Sequence, residues 1–184
     1  MIKDNKIFYN VFKELPNINI EKELIRCSND DSFAFFVYYR FINSAKTIIV
    51  VADNLLGCQT FYNKMSAMLK NKVFMYCVDE TTKFTSLASS PEMLSQRIYV
   101  LNKLTEDEPI IIVTHTIALN RMVPCKDIFI RKSILLKEND ENEINHLIYK
   151  LVQNGYKNVF KVSQPFEFST RGGVVDIFSI NYQS

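Results

Sequence analysis

The chain has 184 residues, 47% of them hydrophobic and 23% charged, enough for one sizeable core or two small ones. Lys+Arg 22 against Asp+Glu 20 leaves a formal charge of +2, so no uniformly basic face awaits a duplex or a membrane. Its glycines, Gly57, Gly155, Gly172 and Gly173, cannot be arranged into a G-x-x-x-x-G-K-[ST] phosphate loop or a G-x-G-x-x-G dinucleotide fingerprint. Both motifs need glycine so that backbone N–H groups can close on phosphate oxygens.

In chain order, Glu23–Cys27 reads as a first strand, Asp30–Asn43 as a helix and Lys46–Ala52 as a buried strand. Asn54–Lys70 spaces Leu55, Cys58, Phe61 and Met65 at three and four residues, which predicts an amphipathic helix. Lys72–Val78 is the next strand. Ser90 then caps a helix with Pro91 in its first turn, and Pro109–Thr114 is a further strand. Strands alternating with helices of this length predict a parallel sheet covered on both faces. The longest apolar runs, such as Phe33–Tyr39, fall far short of the roughly 20 residues that cross a bilayer, and no signal-peptide pattern opens the chain. The expected location is the cytosol.

After Pro124 the rhythm changes. Asp127–Lys132 and Ser133–Lys137 read as two short strands, and Asp140–Asn154 as a helix stopped by Gly155. Lys157–Val162 and Gly173–Phe178 are extended. The division expected is 1–125 for an α/β domain without a phosphate loop and 126–184 for a truncated α+β domain. With no terminating structure at Asn181–Ser184, the chain reads as a fragment of something longer.

Candidate chemistry is sparse. The turn Cys27–Ser32 holds two adjacent carboxylates, Asp30 and Asp31, which would repel a triphosphate. Ser28, Asn29 and Asp30 suit helix capping there, and Asp31 suits the first turn. His115, at the carboxyl end of a strand, stands where α/β ligand sites form, against the plainer reading of a partly exposed loop or helix-start residue. His146 reads as a solvated helix residue. Cys27, Cys58, Cys77 and Cys125 form no C-x-x-C pair and read as small buried thiols rather than metal ligands.

The segment Glu167-Phe168-Ser169-Thr170-Arg171-Gly172-Gly173-Val174-Val175-Asp176-Ile177-Phe178 stands apart. Paired glycines predict a bend into a strand, with Arg171 held where the backbone turns. There its guanidinium fork could meet a partner carboxylate, or pair internally with Glu167 or Asp176.

This segment resembles the E-[FY]-x-x-R-G-x-[LIV]-[LIV]-D-[LIV]-F signature of the bacterial transcription-repair coupling factors (Mfd) and the excision-repair helicase UvrB. Gly155, Tyr156 and Val159 fit the same block. UvrB has an intact phosphate loop where this chain has Ser28-Asn29-Asp30-Asp31, as in the degenerate first module of Mfd. Ser90–Leu101 is also similar to the Mfd pattern of Ser-Pro followed by an Arg-containing, leucine-spaced helix. Phe166 stands where relatives usually have glycine.

The resemblance implies a degenerate RecA/helicase-like α/β domain that has lost ATP binding, followed by a partial α+β domain like the second domain of UvrB, which recruits the damage-recognition protein UvrA. In the family, translocase motors downstream displace stalled RNA polymerase and act on DNA, while this module hands the lesion to nucleotide excision repair. The family's UvrA-binding surface uses the arginine matching Arg171, with an arginine and a phenylalanine on a following strand that would begin after Ser184. No catalytic residue, cofactor or metal is implied. The competing readings are a small α/β enzyme using His115 and a nucleic-acid-binding helicase fragment using Lys46, Lys64, Lys70 and Lys72.

Overall fold

The computed structural model describes residues 25–78, 90–139 and 141–179. Helix α1, Asp30–Ser44, starts at Asn29, whose side chain accepts the backbone N–H of Ser32 at 2.8 Å. That bond satisfies one of the amide donors left open at a helix start, and Asp30 and Asp31 follow in the favoured first turn. The helix ends at Ala45, in the left-handed region at φ 49°. The strand expected over Glu23–Cys27 lies partly outside the described residues, and Ile25–Cys27 form no strand.

Strand β1 is Ile48–Ala52, helix α2 Leu55–Met68 and strand β2 Val73–Tyr76. Helix α3 is Pro91–Lys103, strand β3 Ile111–His115, and one turn of helix, α4, covers Thr116–Leu119. Asn54 caps α2 through Gly57 N–H at 2.8 Å, and Ser90 caps α3 through Met93 N–H at 3.2 Å. The three strands are parallel in the order β1-β3-β2, with Val50 against Val113 and Met75 on its other side.

Central β3 is buried along its whole length because helices cover both of its faces, whereas Ile49 and Val51 of edge strand β1 are exposed. Ile111 and Val113 enter a core with Val37, Tyr38, Cys58, Phe61 and Met65 of α1 and α2. Ile110 and Ile112 face the opposite way, toward Val100 of α3 and Ala118 of α4. The alternation follows from the two-residue period of a strand. This is the α/β layer expected from the alternating pattern.

The following stretch differs from expectation. Lys126–Lys132 is a helix, α5, not a strand, and Ser133–Lys137 has no regular structure. Ile128 and Ile130 within α5 are 45% and 50% exposed, so no buried face selects extended backbone. Helix α6 spans Ile144–Gln153, and Gly155 ends it at φ 84°. Asn154 ties α6 to the end of α5, its side-chain amide donating to the Lys132 carbonyl at 2.8 Å.

A small mixed sheet follows: β4, Lys157–Asn158, runs parallel to β5, Glu167–Arg171, which pairs antiparallel with β6, Val174–Ile177. Phe168 is fully buried. Strand β5 lies where sequence patterning expected only the approach to a bend. Cys58 and Cys77 are buried as expected, whereas Cys125 is exposed.

Candidate protein-interaction site

The β5–β6 hairpin turns through Gly172 at φ 50° and Gly173 at φ 92°, the double positive-φ geometry of a tight two-residue turn. Its twist matches that of the strands it joins, and glycine reaches it without a Cβ penalty. Arg171 and Val174 therefore face each other at the hairpin's end.

Below the turn, buried Glu167 anchors the loop that precedes β5. One carboxylate oxygen, Oε2, accepts Ser163 N–H at 2.9 Å, Ser163 Oγ–H at 3.1 Å and Gln164 N–H at 3.2 Å. The other accepts the Gln164 side-chain amide at 3.0 Å. These bonds, led by the Ser163 amide, hold the Glu167 carboxyl below the ordinary glutamate range. Phe166, just before it, has φ 66°, a conformation that costs a side-chain-bearing residue about 1–2 kcal/mol. A glycine would adopt that backbone without the Cβ penalty. Here the Phe166 ring meets Tyr156 edge-on, with centroids 5.6 Å apart.

Arg171 is exposed, and its Nη2 donates to the Phe160 carbonyl at 2.7 Å. Its guanidinium carbon lies 4.7 Å from the centre of the Phe160 ring. The internal partners expected from sequence were Glu167 and Asp176. Glu167 is instead occupied by Ser163 and Gln164, and Asp176 lies opposite Ser169 in the register. The side chain is thus fixed by a carbonyl and a ring, neither of which neutralises its charge. Phe160 was not legible as part of this site, since within Asn158–Val162 it reads as one more apolar residue of an extended run.

The other candidates are used structurally. His115 is fully buried, neither a loop residue nor a ligand-facing one, and its Nε2 sits 3.2 Å from Val78 N and 3.1 Å from Val78 O. It pins the exit of β2 to the end of β3. At the Cys27–Ser32 turn the Asn29 side chain serves the helix, and Asp31 pairs with Lys64 at 2.7 Å. Lys72 pairs with Glu108, while Lys46 and Lys70 are exposed. His146 is exposed on α6. No helix among the described residues is long and apolar enough to cross a membrane.

A parallel α/β layer is followed by a small mixed sheet that ends in an arginine-bearing hairpin. The model of the UvrB interaction domain matches residues 134–184, which include α6 and the whole small sheet. The chain is 27% identical over 184 residues, 100% of its length, to the transcription-repair-coupling factor of Bacillus subtilis. It is 22% identical over 173 residues to that of Staphylococcus epidermidis and 20% identical over 171 to that of Staphylococcus haemolyticus, covering 93% and 92% of this chain. It is thus homologous to the N-terminal region of transcription-repair-coupling factors, with a UvrB interaction domain. The chain spans 15–16% of the length of these relatives.

Proposed function

We propose that this chain is a non-enzymatic interaction module of a transcription-repair-coupling factor, recruiting the UvrA damage-recognition protein in transcription-coupled nucleotide excision repair. The observation that carries the reading is Arg171, exposed at a glycine-paired hairpin within the segment matching the UvrB interaction domain. Its fork can grip a carboxylate through two parallel hydrogen bonds, a geometry lysine cannot reproduce. We read 1–125 as a helicase-like layer that does not bind ATP, and 126–184 as the UvrA-facing unit. The asparagine cap and the Asp31–Lys64 pair support the first assignment, because they occupy the turn where a phosphate cradle would stand. Polymerase displacement and DNA translocation belong, in this reading, to other parts of the whole protein. The enzyme alternative is weakened by His115, whose ring is buried and committed to Val78.

Titration of the chain against purified UvrA tests the reading. Arg171→Ala should weaken binding by about 2 kcal/mol, roughly thirtyfold, and Arg171→Lys should restore little of it. If folded Arg171→Ala binds UvrA as tightly as its parent, Arg171 is only a hairpin brace and the reading fails.

A further inference from the structure

We infer that Phe160 and Arg171 act as one composite docking contact for a protein surface that presents a carboxylate beside an apolar side chain. The inference rests on the UvrA-recruiting reading and adds a residue and a partner chemistry to it. Phe160 is 86% exposed although it carries a large apolar ring, and the Arg171 guanidinium lies over that ring at 4.7 Å. Of the five N–H donors on the guanidinium, the hydrogen bond made among the described residues engages Nη2, leaving the rest of the fork for a carboxylate.

Charge specifies the partner. Between Gly155 and Phe178 the cations are Lys157, Lys161 and Arg171, all exposed, against one exposed carboxylate, Asp176 on β6, and Glu167, which is buried in its own loop. The surface is therefore complementary to an acidic one. Apolar area accompanies the charge: Val174, paired with Arg171 across the hairpin, is 61% exposed.

The arrangement is also pre-organised. Arg171 is held at both its carbonyl and its ring contact, and the loop carrying Phe160 is fastened by Glu167, so less side-chain and loop freedom is lost on binding. Aromatic and arginine side chains set together are the residue types that dominate interface energetics.

Purified UvrA is titrated with the full chain and with Phe160→Ala, Phe160→Tyr and Arg171→Ala, each checked for fold by circular dichroism. Phe160→Ala should weaken binding by about tenfold or more and Phe160→Tyr by less than about threefold, because the ring is the retained element. If Phe160→Ala binds like its parent while Arg171→Ala does not, the composite contact is wrong and the UvrA reading stands. Equal loss in Phe160→Ala and Phe160→Tyr removes the ring from the account. If Arg171→Ala binds like its parent, or the parent does not bind, both the inference and the reading it rests on are overturned.

Discussion

Glu167 and Arg171 carry opposite charges on one strand, yet each is committed elsewhere: Glu167 to Ser163 and Gln164, Arg171 to Phe160. The separation leaves a buried anion that builds a loop and an exposed cation free of a neutralising carboxylate among these contacts. Because the Glu167 pKa is lowered in the folded state, its ionised form is the one that folding stabilises. That contribution is present above the ordinary glutamate pKa and is lost as pH falls through the lower folded value. Glu167→Gln should therefore lower the urea midpoint at neutral pH, and the gap from the parent should narrow below about pH 4. Circular dichroism melts across that range provide the check, and a gap independent of pH would mean the carboxylate's charge is immaterial. The internal pairing of Arg171 could not be chosen from sequence. Glu167, Asp176 and a backbone carbonyl are all within reach of an arginine on a hairpin, and only the three-dimensional course of residues 160–166 selects the last.

At the scale of elements, legibility followed burial. Helices α1, α2 and α3 and strands β1, β2 and β3 were readable because Asn29, Asn54 and Ser90 supply caps and a two-faced sheet imposes its apolar pattern. Helix α5 was not, since its seven residues bury no side chain and give periodicity nothing to report. The glycine pair announced a bend but not the strand before it, because Glu167 and Ser169 are buried polar residues that break the usual alternation. The turn itself makes a sharp demand. Gly173 at φ 92° has open space around a would-be Cβ, so any penalty for a side chain there is conformational rather than steric crowding. Gly173→Ala should cost about 1–2 kcal/mol, while Gly172→Asn, at φ 50°, should cost no more than about 0.5 kcal/mol. Urea denaturation followed by far-ultraviolet circular dichroism would separate the two. Equal costs would contradict the assigned turn.

Across the whole molecule, the carboxyl end of β3, where α/β proteins usually place ligands, holds a buried histidine, His115, set against the Val78 backbone. On the β4–β5–β6 unit, Phe160, Arg171 and Val174 present cationic and apolar groups together at an exposed hairpin. Sequence patterning located the arginine but not its aromatic partner, and placed His115 at the correct strand end with the wrong exposure. The central claim, that the hairpin unit rather than the parallel sheet meets UvrA, is tested most directly by amide hydrogen exchange of the chain with and without saturating UvrA. The account predicts slowed exchange within residues 157–178, with 48–52, 73–76 and 111–115 unchanged. Protection concentrated at the ends of the parallel strands, with the hairpin exchanging as in the free chain, would contradict it.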